Sequence, residues 1–161
     1  STEMKSLTFK EFMDGKYVDD DDYAIYIVKN NADVLYVGIS RDNIYNRWFT
    51  AEHSHIVRTA NGTAIRGNSA IGQAIVENLP KSLEWTVILL TEAECIERLG
   101  DRSPCKSEYD NNALTKLERY LISKLQPLFN ATHNTQQPIG NYINQDLTTA
   151  PCDVLGLRLY Q

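Results

Sequence analysis

Glu118 is the residue whose placement most invites chemistry. With Leu114 as origin of a helical wheel, Leu117, Leu121, Leu125 and Ile122 form one apolar stripe, and Glu118 falls inside it at about 40°. A carboxylate buried there is costly unless it is paired, protonated or bound to a metal. A salt bridge to an arginine and a metal ligand or acid–base group facing a cleft explain it equally well. Two phenols are the second feature. Tyr26 and Tyr36 lie in apolar runs, 23–29 and 34–40, joined by the polar stretch 30–33, a pattern that predicts a β-hairpin. Symmetry about Asn31 sets Tyr26 opposite Tyr36, Ala24 opposite Gly38 and Val28 opposite Val34. One face then carries Ile25, Ile27, Leu35, Val37 and Ile39, all core; the other carries the two phenols beside small residues. That second face reads as a pocket floor or as a tyrosine pair packed across a sheet. Arg47 is the third feature. Ile44, Trp48 and Ala51 share a helix face, and Arg47 borders it at about 60° from Ile44. Its plain role there is to cover apolar surface with its stem. His53 and His55 follow, where that helix should end; a lone histidine is usually structural or exposed.

The elements that must position these residues follow from the rest of the pattern. A short helix is predicted over Leu7–Met13, then helices over about 42–52, 69–79, 92–99 and 112–126, and a third strand over about 84–90. Thr91 and Glu94 form a capping box, and Pro80 and Pro127 close helices. Residues 59–69 read as a loop without phosphate-loop spacing, and 154–160 as a further strand. The whole is an α+β domain with a small, mainly antiparallel three-stranded sheet flanked by helices. The expected organisation is an N-terminal extension over 1–22, the domain over 23–130 and a C-terminal extension over 131–161 packed on it.

Composition narrows the function classes. The chain has 161 residues and a formal net charge of −5, which by itself does not suggest nucleic acid. The charge is uneven. Residues 1–23 carry −4 and 91–110 carry −3, whereas 24–90 and 111–161 carry +1 each. Arg41, Arg47, Arg58 and Arg66 fall in the mildly basic part, which permits phosphate contact. The run Asp19–Asp22 lacks the alternating ligands of a calcium loop and reads as a solvated lead-in to the first strand. Cys95, Cys105 and Cys152 have neither disulfide-framework nor zinc spacing, so a reducing cytoplasm is the expected compartment. No apolar run long enough for a membrane span is visible, and no membrane partner is expected.

Taken in order, these landmarks resemble the GIY-YIG endonuclease domain. Ala24-Ile25-Tyr26 corresponds to the first motif and Tyr36-Val37-Gly38 to the second. The arginine helix corresponds to Ile44-Tyr45-Asn46-Arg47-Trp48. The terminal signature is matched by Leu117-Glu118, Leu121-Ile122, Pro127 and Phe129-Asn130. The likeness spans about residues 23–130. It implies hydrolysis of DNA phosphodiester bonds with one divalent cation, Mg²⁺ or Mn²⁺, held by Glu118. Tyr26 and Tyr36 would position and deprotonate the water, with Tyr36 favoured as the base, and Arg47 would offset transition-state charge. Asn130 would fix the end of the glutamate helix or orient part of the site. Ala24 replaces the first glycine, Ile39 stands where some repair-type members have lysine, and Ala51 stands where several relatives have histidine or tyrosine. His53 is the nearby candidate for that last role. Arg41, Arg58 and Arg66 are the expected DNA contacts. The acidic margins leave recognition of long DNA to inserted loops, the tail or a homodimer. The rival expectation is a nuclease-like DNA-binding or regulatory module without activity.

Overall fold

The computed structural model describes residues 4–16, 22–31 and 33–130. Its centre is a four-stranded antiparallel sheet built from β1 (Lys5–Thr8), β2 (Ile25–Lys29), β3 (Val34–Ile39) and β6 (Thr86–Leu90), in the order β1-β6-β2-β3. A separate ribbon pairs β4 (Ile56–Arg58) with β5 (Ala64–Gly67). The helices are α1 (Phe9–Met13), α2 (Ala70–Glu77), α3 (Glu92–Leu99) and α4 (Ala113–Leu125). The molecule is therefore α+β, as expected, with one strand more in the main sheet and a ribbon where a loop was expected.

The extra strand comes from the segment read as an N-terminal extension. Lys5–Thr8 pairs with β6, and Thr8 then caps α1 with a capping box to Glu11. Phe9 and Phe12 of α1 are fully buried. This segment belongs to the sheet domain, because two phenylalanines in five residues supply core that the sheet needs. The expected helix over 42–52 is also shorter. Ile44 and Tyr45 begin it, and a π-helical turn, Asn46–Thr50, ends it. The other three long helices and the three expected strands stand within two residues of their predicted ends. The possible strand at 154–160, the acidic run through 19–21 and the C-terminal extension lie outside the described residues.

The β2–β3 register corrects the expected pairing. Tyr26 lies opposite Gly38 and Val28 opposite Tyr36, while Lys29 lies opposite Val34. Leu35 is left over as a β-bulge. The bulge turns Leu35 to the tyrosine face and Val34 to the other. Two apolar layers result. On one face Ile25, Ile27, Val37, Ile88 and Leu90 pack under α3 and α4. On the other, Tyr26, Val28, Leu35, Val87 and Leu89 pack under α1, the π-turn, the ribbon and α2. The glutamate helix and the arginine helix thus cover opposite faces of the sheet.

Candidate functional site at the sheet edge

The site forms at β3, the edge strand on that side. Tyr26 and Tyr36 are diagonal neighbours whose rings stack with centroids 6.1 Å apart and planes 23° from parallel. Tyr26 lies flat over the backbone of β3, and a Cβ on Gly38 would stand 2.4 Å from its ring. Glycine is needed at position 38 for that reason. Tyr26 is 1% exposed, whereas Tyr36 is only partly buried.

Burial raises both phenols above the ordinary tyrosine value. Tyr36 raises Tyr26 further, and on both phenols the Arg47 guanidinium lowers the pKa and the Glu118 carboxylate raises it. The structure therefore brings Tyr26, Tyr36, Arg47 and Glu118 within electrostatic reach of one another. Glu118 is half-buried on α4, which packs along β3, and its charge reaches the phenols from there. Arg47 comes from the other layer. Its guanidinium donates to the His53 carbonyl at 2.9 Å, and its own carbonyl accepts from the His55 amide at 3.2 Å. It straps down the chain that follows the π-turn.

His55 is the residue sequence reasoning left aside. It is 1% exposed, and its Nε2 lies 3.0 Å from Tyr26 Oη. Its Nδ1 lies 2.6 Å from Ser69 Oγ, which also accepts from the Gly72 amide as the cap of α2. Trp48 packs on the imidazole at 4.3 Å between centroids. Burial, with a smaller contribution from Arg47, holds the His55 pKa down to about 3. The ring is neutral at pH 7, so one nitrogen donates and the other accepts. Two proton orders satisfy the row. Tyr26 O–H donates to Nε2 while Nδ1–H donates to Ser69, or Ser69 O–H donates to Nδ1 while Nε2–H donates to Tyr26. His53, the expected candidate, has an exposed side chain, and only its carbonyl touches the site residues described. The helix ends at Thr50, so the chain turns back two residues earlier than expected and brings His55 inward.

Asn130 is buried and grips β3 rather than the glutamate helix. Its Oδ1 accepts from the Val37 amide and its Nδ2 donates to the Val37 carbonyl, both at 2.9 Å. Val37 lies between Tyr36 and Gly38, so this pair of bonds fixes the strand that carries the second phenol. Leu128 and Phe129 add backbone bonds to Val34 and Leu35.

The three arginines expected to meet DNA divide. Arg66 is exposed on β5. Arg41 is exposed and donates to Thr115 Oγ1 of α4 at 2.6 Å. Arg58 is committed to structure: it donates to the Met13 carbonyl and to Tyr45 Oη, and stacks over Phe49 at 4.7 Å. Tyr45 and Phe49 belong to the same arginine helix, so Arg58 ties α1, that helix and β4 together.

A cleft of about 810 Å³ lies apart from the phenols. Asp22, Asp42, Glu92, Glu108 and Asp110 line it with Arg41. Burial and the neighbouring Glu108 raise the Glu92 carboxyl. This wall repels phosphate. Among the described residues no three His, Cys, Asp or Glu side chains gather as a metal-binding group. The donor set beside the phenols is then one carboxylate. Mg²⁺ is commonly held by one or two carboxylates, with water and substrate phosphate completing the shell, so this set fits a cation that arrives with its substrate. No helix among the described residues is long and apolar enough to cross a membrane.

No family model, curated protein or solved structure matches the chain.

Proposed function

We propose that the protein is a metal-dependent DNA endonuclease of the GIY-YIG type. The observation that carries the reading is that the charges of Arg47 and Glu118 both reach the two stacked phenols, although the two residues come from layers on opposite faces of the sheet. Tyr36 is the phenol with access to substrate, and its hydroxyl orients the attacking water. Tyr26, closed off and bonded to His55, holds the inner side of the site. Arg47 offsets charge that develops on the phosphoryl oxygens. Asn130 keeps β3, and with it Tyr36, in register. Glu118 would hold a divalent cation, which when bound supplies positive charge at the scissile phosphate and the leaving oxygen.

The test is nicking of supercoiled plasmid by the full chain with Mg²⁺ or Mn²⁺. Wild type should nick and Glu118→Ala should not. Equal nicking by the variant, or none by wild type with either metal, would overturn the assignment.

A further inference from the structure

The β4–β5 ribbon has a second bulge, and it aims two side chains outward. Val57 lies opposite Arg66 and Arg58 opposite Ala64, so Ile65 has no partner across the ribbon. Ala64 packs against the aromatic layer and Arg58 folds under the ribbon. Ile65 and Arg66 are adjacent and both exposed, and Ile65 is 54% exposed. In a regular strand neighbouring side chains point to opposite faces, and a bulge breaks that rule locally. One exposed isoleucine means little by itself. Its company and its anchorage give it meaning.

The base of the ribbon is locked to the candidate site. The Asn68 amide donates to the His55 carbonyl and Asn68 Nδ2 donates to the Ser54 carbonyl, each at 2.9 Å. Gly67 and Gly72 bring the ribbon and α2 into backbone contact, and a Cβ on Gly72 would stand 2.1 Å from the His55 carbonyl oxygen. The tip is closed by Thr59, whose carbonyl accepts from the Gly62 amide and whose Oγ1 accepts from the Thr63 amide. Thr59, Asn61 and Thr63 are exposed polar residues on that tip. Charge selects the partner. Residues 53–76 contain no Asp or Glu, in a chain that has 21 of them. The acid-lined cleft, to which no ribbon residue contributes, repels a polyanion.

From this geometry we infer that the β4–β5 ribbon enters a groove of duplex DNA beside the catalytic residues, with Ile65 against base edges or sugars and Arg66 on a phosphate. A two-stranded ribbon fits the major groove, and phosphate contacts set register while apolar contacts to base edges read sequence. The inference rests on the nuclease reading above and names the element that selects where it cuts.

The experiment measures binding and cleavage separately. Binding of a fluorescein-labelled duplex to the Glu118→Gln full chain is followed by anisotropy over a salt series. Adding Arg66→Ala should weaken binding roughly threefold to tenfold and lower the salt slope by about one. In the cleaving protein, Ile65→Ser should redistribute cut positions on a plasmid while the salt slope in the Glu118→Gln background stays the same. Urea unfolding must show both ribbon variants as stable as their parents; Arg66→Lys, which keeps the charge, should restore the slope. An unchanged slope in Arg66→Ala, together with an unchanged cut pattern in Ile65→Ser, overturns the ribbon inference and leaves the nuclease reading standing. Binding that follows these expectations without cleavage by wild type sinks the nuclease reading alone. Neither binding nor cleavage sinks both. Dimerisation that Ile65→Ser abolishes, with DNA binding untouched, assigns the ribbon to a second copy and overturns the inference.

Discussion

A single methyl group at position 38 would disturb the centre of the site. The Tyr26 ring occupies the space a Cβ would need, and Trp48 packs against that ring at 5.4 Å between centroids. Gly38→Ala is expected to lose about 1–3 kcal/mol in urea unfolding, the usual cost of overfilling a packed interior. Asn130→Ala leaves the Val37 amide and carbonyl without their side-chain partner, and should cost about 2–4 kcal/mol because each stranded buried group carries a desolvation penalty. Asn130→Asp keeps the acceptor but sets a carboxylate oxygen against the Val37 carbonyl in a buried place, so at about pH 7 its unfolding midpoint should be no higher than that of Asn130→Ala. At this scale the sequence was informative where a residue broke a pattern. Glu118 interrupts an apolar stripe, and the phenols sit on an otherwise small-residue face. His55 broke no pattern. A histidine after a helix looks like any other, and only the early end of that helix turns it inward. Asn130 was visible as a signature residue, but its grip on Val37 joins positions 93 apart and has no local trace.

Elements were more legible than their arrangement. Capping residues, prolines and apolar periods located the helices because those signals are local. The register of β2 against β3 was not local in that sense. One bulged residue, Leu35, moved the tyrosines from facing each other to a diagonal, and nothing in the turn residues announces it. The ribbon was missed because its strands are three and four residues long and the turn between them is rich in glycine, threonine and asparagine. The same packing gives Arg58 a structural role. Arg58→Ala should unfold about 1–3 kcal/mol more easily than wild type, since it gives up charged hydrogen bonds and stacking on Phe49. Arg58→Lys should recover little of this, because an ammonium lacks the fork that reaches Met13 and Tyr45 together. The salt dependence of DNA binding should stay unchanged in Arg58→Ala, in contrast to Arg66→Ala.

The whole molecule should be sensitive to acid through its site. His55 has a pKa of about 3 in the folded protein, held down first by burial and then by Arg47. Free histidine titrates near about pH 6.5. Between those values the unfolded chain binds a proton that the folded one excludes. The stability this gives is therefore complete above about pH 6.5 and declines as pH falls towards the folded value, by up to about 1.4 kcal/mol per unit. Urea unfolding of wild type and His55→Gln at about pH 7 and about pH 5 should show the gap between them narrowing in acid. A gap independent of pH would mean that His55 titrates alike in the folded and the unfolded chain. The docking of Leu128, Phe129 and Asn130 along Val34–Val37 has a consequence for assembly. An exposed edge strand invites another chain to add itself, the route by which β proteins polymerise. Here the protein's own chain already fills that position, so the strand that carries the second phenol is shielded from intermolecular pairing over those residues. Strand addition by a second copy is closed off over Val34–Val37, and losing Asn130 should leave the protein not only less stable but prone to aggregate.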